Sequence, residues 1–235
     1  MTKAALQFGG GKDSLACLYL LRPRWDETTV VWLNTGAAFP ETIAQMKEIA
    51  AMVPHFLEVR SDVAADIGEH GWPVDVVPVA HTEWGMKFTG RKGVKLRSWI
   101  ECCGRNFWAP LEAKMKEHGF TTIIRGQRND EHYKGIVRHG DVVGGVTYEL
   151  PLQDWTESDV FAFLEREGVA VPAHYEVTKS SLDCWLCTAF LDAKNPQMDY
   201  LRAKHPEQHA LVRHALDQIA GATAAALTPL EAAVR

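Results

Sequence analysis

The chain opens on a mostly apolar run, Ala4–Phe8, that leads directly into Gly9-Gly10-Gly11 and then Lys12-Asp13-Ser14. The run has the length of a strand. Lys12–Leu21 carries leucines at 15, 18 and 21, a helical spacing stopped by Pro23. A glycine turn between a first strand and a helix leaves backbone N–H groups free at the positive end of the helix dipole, where an anion can sit. Gly9, Gly10 and Gly11 allow close approach, Lys12 adds a cation and Ser14 a hydroxyl. The spacing matches neither the Walker A loop nor the G-x-G-x-x-G dinucleotide fingerprint. The loop therefore constrains the start of the fold to strand, anion nest and helix.

That alternation continues along the chain. Thr28–Leu33 is a β-branched run suited to a buried strand, and Pro40 opens a helix with Ile43, Met46 and Ile49 on one face. His55–Val59 reads as a third strand. Gly85–Gly104 is less regular and is expected to be a mobile loop. Asn106–His118 reads as a helix, Phe120–Gly126 as a strand and Gly144–Leu152 as an edge strand or hairpin. Thr156 caps a helix that Gly168 stops. Strands alternating with helices at this pitch predict an α/β fold, a parallel twisted sheet with helices on both faces, plus a helical C-terminal extension. The expected division is a nucleotide-binding domain over 1–191 and an extension over 192–235.

No apolar run is long enough to span a bilayer, and the glycines arrive before a signal-peptide core can form, so the expectation is a soluble, cytoplasmic protein with no membrane partner. With 25 Lys and Arg against 30 Asp and Glu, the whole-chain field does not attract nucleic acid. One segment differs. Lys87, Arg91, Lys92, Lys95, Arg97 and Arg105 form a basic stretch, read either as a solvated loop or as a contact for an anionic partner.

Five cysteines without an export signal argue against a disulfide framework. Cys102-Cys103 and Cys184-x-x-Cys187 make two pairs, a thiolate set suited to zinc or to an iron–sulfur cluster. Cys17 reads as core. His205 and His209 have helical spacing but Pro206 lies between them, and a solvated helix face is the expectation. Arg128, with Arg125 beside it, is suited to bidentate binding of phosphate or sulfate. Asp13 is placed to hold Mg²⁺ with phosphates. Asp130 and Glu131 fit either a helix N-terminus or catalysis.

Gly10-Gly11-Lys12-Asp13-Ser14 resembles the PP-loop, SGGKDS, of the adenine nucleotide alpha-hydrolase-like superfamily, with Gly9 in place of its serine. "LNTGAAFPET", Leu33–Thr42, is similar to the DTG-x-x-FPET segment of the PAPS reductase family, with Asn34 for the Asp. "RGQRNDEHYKG", Arg125–Gly135, resembles that family's G-x-R-x-x-ES segment, with His132 for Ser. Pro151–Tyr175 resembles its P-L-x-DW-T-x-x-D-V-W helix and the proline segment that follows. The resemblance implies the adenine nucleotide alpha-hydrolase-like fold and ATP cleaved between its α and β phosphates with Mg²⁺. It implies nucleotide binding by Gly9, Gly10, Gly11, Lys12, Asp13, Ser14, Asn34, Thr35, Gly36, Gly126 and Arg128, with Lys12, Asp13 and Arg128 catalytic.

The CC and C-x-x-C pairs resemble the [4Fe–4S] site of APS reductases and of ATP pyrophosphatases that modify DNA with phosphorothioate, implying Cys102, Cys103, Cys184 and Cys187 as ligands. The reductases use a C-terminal catalytic cysteine, whereas no cysteine follows Cys187 here and the Lys-Asp-Ser loop is kept. The expected function is an ATP pyrophosphatase that adenylates a substrate for iron–sulfur-assisted sulfur transfer. The alternatives are an APS or PAPS reductase and a non-catalytic nucleotide- or nucleic-acid-binding component of a modification complex. Expected partners are an adenine nucleotide, a nucleic-acid or small-molecule acceptor, a sulfur donor or thiol reductant protein, and a second copy of the chain.

Overall fold

The computed structural model describes residues 3–131, 135–178, 181, 184–191 and 197–234. The chain begins with β1 (Ala4–Gln7), α1 (Lys12–Leu20), a 3₁₀ segment (Arg22–Glu27), β2 (Thr28–Asn34), α2 (Pro40–Met52) and β3 (Phe56–Arg60). Next come α3 (Val63–His70), β4 (Trp72–Val74), α4 (Glu83–Thr89), β5 (Leu96–Ser98) and α5 (Trp99–Cys103). A wide π turn, Gly104–Trp108, carries α5 into α6 (Ala109–Glu117). β6 (Thr122–Arg125), β7 (Val142–Val143), β8 (Val146–Glu149) and α7 (Glu157–Arg166) follow, and α8 (Gln197–Lys204) and α9 (Pro206–Ala233) close the described chain.

The chain packs as two compact units. The first comprises Met1–Asn34, Ala38–Arg60 and Leu111–Asp183, the second Thr35–Ala37, Ser61–Pro110 and Cys184–Arg235. This division cuts across the 191/192 boundary expected from the sequence; residues 192–196 lie outside the described residues.

The first unit is built on a six-stranded sheet in the order β3-β2-β1-β6-β8-β7, parallel except for the β7–β8 hairpin. Leu6 stands between Val30 and Ile124 at its centre. Because successive side chains alternate across a strand, Leu6, Val30, Trp32 and Ile124 face one side. There they meet Leu15 and Leu18 of α1, Met46 and Ile49 of α2, and Val160, Phe163 and Leu164 of α7. Ala5, Val31, Leu33, Val59 and Ile123 face the other side against Leu111 and Met115 of α6. Both faces are covered, which is why these strands read as near-continuous apolar runs. Each large aliphatic side chain buried this way contributes about 1.5–3 kcal/mol.

Helix starts follow from local chemistry. Pro40 occupies the first turn of α2 behind an extended Phe39. Thr156 and Asp159 form a reciprocal capping box on α7, and Gly168 leaves that helix at φ 67°. The first strands run outward from β1 to β2 and β3, and the chain then returns to place β6 on the opposite side of β1. The carboxyl ends of β1 and β6 therefore flank the topological switch point, where open α/β sheets bind ligands.

In the second unit β4 and β5 pair in parallel, Trp72 opposite Leu96. α9 packs Leu216, Ile219 and Ala222 with Val74 and Leu96, so the C-terminal helix is part of this unit's core. Gly85–Gly104, expected to be irregular, contains most of α4 together with β5 and α5. A three-residue strand and helices of seven and five residues are too short to show a period in the sequence. Asp66 of α3 ties this unit together by accepting from Arg97 of β5, Arg105 Nε at 2.8 Å and Asn106 Nδ2 at 2.5 Å. Among the described residues no helix is long and apolar enough to cross a membrane.

Candidate functional site

The loop after β1 and the loop after β6 wall a cleft of about 570 Å³ in the first unit, together with Glu157, Tyr175 and Ser181. Two glycines make that approach feasible. Gly10 holds φ 84°, and a Cβ there would lie 2.8 Å from Gln45 Oε1. A Cβ on Gly126 would lie 2.6 Å from the Asp13 carbonyl oxygen. Gly9 is different, since a Cβ there would meet nothing within 4 Å. The family serine would fit, so packing does not explain its replacement.

Lys12 begins α1 and is only 5% exposed. Its backbone N–H donates to Tyr175 Oη at 3.0 Å, and its ammonium lies 5.3 Å from the Tyr175 ring centre and 5.9 Å from that of Phe161. Nζ contacts Asp13 Oδ2 at 3.1 Å and Glu157 Oε1 at 3.2 Å. Burial, and then the charge of Arg128, lower the Lys12 pKa against the pull of Glu157 and Glu131. Arg128, also 5% exposed, pairs with Asp13 Oδ1 and with Asp130 Oδ1 at 2.8 Å. Burial pushes the Asp130 carboxyl up, but Arg128 and the Glu157 N–H hold it below its ordinary value. Burial pushes Glu131 up. Ser14 Oγ donates to the Gly11 carbonyl at 2.9 Å.

The cleft thus gathers Gly9, Gly11, Lys12, Asp13, Ser14, Gly126 and Arg128 from the expected set, while Gly10 shapes the turn behind it. Asn34 is not among its lining residues. It donates to Glu58 Oε1 at 2.8 Å, and Thr35 and Gly36 belong to the second unit. Arg125 turns away as well, with Nε donating to Gln7 Oε1 at 2.6 Å and its guanidinium over the Tyr148 ring. His132, Tyr133 and Lys134 of the β6-loop motif lie outside the described residues. Sequence reasoning missed Glu157, Phe161 and Tyr175 as companions of Lys12. Glu157 follows the helix cap and reads as an ordinary acidic first turn.

The basic stretch is largely engaged within its own unit. Arg97 and Arg105 bind Asp66, Lys95 donates to the Glu69 carbonyl, Lys87 pairs with Glu83, and Arg91 reaches His81 Nε2. Cys17 is fully buried in the core, and burial pushes its thiol up to about 12.

Cys102, Cys103, Cys184 and Cys187 all fall in the second unit. Cys102 and Cys184 share an apolar cluster with Ala37, Val63, Ile67, Trp185 and Leu186. The Cys187 N–H closes a turn onto the Cys184 carbonyl at 3.2 Å, and Asn106 Nδ2 donates to the Cys102 carbonyl at 3.0 Å. Burial raises both the Cys102 and the Cys184 thiol pKa. Thiolate donors suit a cluster in kind. Among the described residues, however, no three His, Cys, Asp or Glu side chains are arranged as a metal site.

Fold and cleft together define a class: a mostly parallel α/β protein with a glycine-walled cleft at the switch point of its sheet. Its family follows from the sequence comparison. The model of the phosphoadenosine phosphosulfate reductase domain matches residues 3–190, and the chain belongs to that family. An uncharacterized protein of Methanocaldococcus jannaschii is 23% identical over 206 residues, 85% of this chain and 44% of that protein. Sulfate adenylyltransferase subunit 2 of Mycobacterium tuberculosis is 28% identical over 191 residues, 74% of this chain and 58% of that subunit. The chain spans about half the length of these curated relatives. A crystal structure of phosphoadenylyl-sulfate reductase from Candida auris, a phosphate complex, superposes with a TM-score of 0.53 at 17% identity, covering 79% of this chain and 82% of that one. The two share a fold.

Proposed function

We propose that the chain is a PAPS-reductase-like ATP pyrophosphatase that binds ATP in the cleft between the β1 and β6 loops and adenylates a substrate oxygen, releasing pyrophosphate. The observation that carries this reading is the pair of buried cations, Lys12 and Arg128, facing one glycine-walled cleft. Held in place before any ligand arrives, they would stabilise negative charge on the departing pyrophosphate without reorganising. The N–H groups in the first turn of α1 beyond Lys12, whose own N–H is held by Tyr175 Oη, would receive the same phosphate oxygens.

Among the described residues the cleft is lined by two cations, Lys12 and Arg128, against four carboxylates, Asp13, Asp130, Glu131 and Glu157. A polyphosphate therefore needs further positive charge. Mg²⁺ fits this deficit, because it binds through one or two carboxylates plus substrate phosphates rather than an all-protein cage. Asp13 is the carboxylate that would hold it, with Asp130 and Glu131 beside it. Mg²⁺ would supply charge neutralisation when bound.

A [4Fe–4S] cluster on Cys102, Cys103, Cys184 and Cys187 completes the reading, supported by the donor chemistry and by the common unit of the four thiols. Such a cluster would bind or deliver sulfur. The acceptor is a nucleic acid or a small molecule, and a sulfur donor protein would serve it. The test is ATP-dependent pyrophosphate release with candidate acceptors. Lys12→Ala should lower it about 10²- to 10³-fold, and unchanged release would overturn the assignment. The name of the family favours a second reading, reduction of APS or PAPS with a thiol partner; sulfite release from APS with a small-thiol reductant would select it.

A further inference from the structure

We propose that Glu157 is a displaceable counter-ion: it engages Lys12 where a phosphate oxygen would, and the phosphates of a nucleotide bind by taking its place. The inference rests on the nucleotide reading of the cleft.

Lys12 is held from three sides that do not move with its ammonium. Its main-chain N–H is fixed on Tyr175 Oη, and the Phe161 and Tyr175 rings pack on its charged end. Its two carboxylate partners differ in kind. Asp13 is the next residue in the chain and is bound at the same time by Arg128, so it stays. Glu157 reaches in from α7, its side chain is 49% exposed, and among the described residues Lys12 is the partner its carboxylate contacts.

The helix does not depend on that contact. The Glu157 N–H donates to Asp130 Oδ2 at 3.1 Å, and Thr156 and Asp159 cap the same turn. A rotation of the Glu157 side chain would therefore release Lys12 from one of its two carboxylates and open the cleft while α7 stays in place. The charge balance favours the exchange. A phosphate entering beside four carboxylates meets less repulsion if one of them swings to solvent.

Titration calorimetry with two probes, inorganic pyrophosphate and ATP, each with Mg²⁺, tests this on the wild type, Glu157→Gln and Glu157→Asp. Glu157→Gln should bind both probes roughly two- to five-fold tighter, the scale of a partly exposed ion pair. Glu157→Asp keeps the charge but is one methylene short of Lys12, and it should also bind tighter than wild type. A gain in Glu157→Gln alone would assign the effect to charge in the cleft and overturn displacement. Equal or weaker binding by both variants, with the wild type still binding, would overturn it too, while leaving the nucleotide reading intact. Failure of all three proteins to bind either probe would instead bring down the nucleotide reading, and this inference with it.

Discussion

At Gly126 there is no space for even one methyl group, because a Cβ would sit 2.6 Å from the Asp13 carbonyl oxygen and 2.9 Å from the Ser14 nitrogen. Gly126→Ala must push the β6 loop away from the β1 loop. We expect it to cost about 1–3 kcal/mol of stability, as overpacking does, and to weaken pyrophosphate binding; denaturant unfolding and calorimetry would show both. Asn34, by contrast, departs from the family's aspartate for a local reason. Its Nδ2 donates to Glu58 Oε1, and Arg60 Nη2 binds the other oxygen of the same carboxylate. An aspartate there would set two carboxylates face to face. Asn34→Asp should destabilise the first unit by about 1–2 kcal/mol at neutral pH. One of the paired carboxyls would then have a folded pKa above its unfolded value, so the penalty is present at high pH and fades as pH falls through about 4–5. Unfolding curves across that range would reveal it, and a pH-independent cost would contradict the pairing.

At the scale of elements, α7 delivers Glu157 and Phe161 to Lys12, and its start depends on the Thr156 box. Thr156→Ala should cost about 1 kcal/mol, the usual worth of a cap, measured by thermal or chemical unfolding. In the second unit α3, β5 and the π turn converge on Asp66. Burial raises its pKa, but Arg97, Arg105 and Asn106 outweigh burial and hold it at about 2. A folded pKa below the unfolded one means that the stabilisation is present above roughly pH 4 and is lost as pH falls toward 2. Screened by solvent at the exposed Arg105, it is worth on the order of 1 kcal/mol. Asp66→Asn should unfold more easily at pH 7 and show a flatter acid limb; an unchanged limb would remove Asp66 from the account.

For the whole molecule, the cysteine set is the part whose chemistry is decided by assay. Anaerobic purification should return about four irons and four acid-labile sulfides per chain, lost in Cys184→Ala. Zinc in place of iron would make the four thiols a structural metal site, and no metal would reduce them to packing. The glycine loop, the strand–helix alternation and the capped α7 were legible in the sequence, because each is a local pattern with a period or a turn chemistry of its own. Cys17 as core was legible for the same reason. The short elements between Gly85 and Gly104 were not, since none spans enough residues to show a period. Nor did the sequence place α9 on β4 and β5, Asn34 on Glu58, or Glu157 on Lys12. By itself the sequence determined the class of fold and the glycine loop that leads from its first strand into its first helix. The tertiary structure alone decided which carboxylates face Lys12 and Arg128 and which helix completes the second unit. The physical reason is that such partners are brought together by sheet order and packing, which no spacing along the chain encodes.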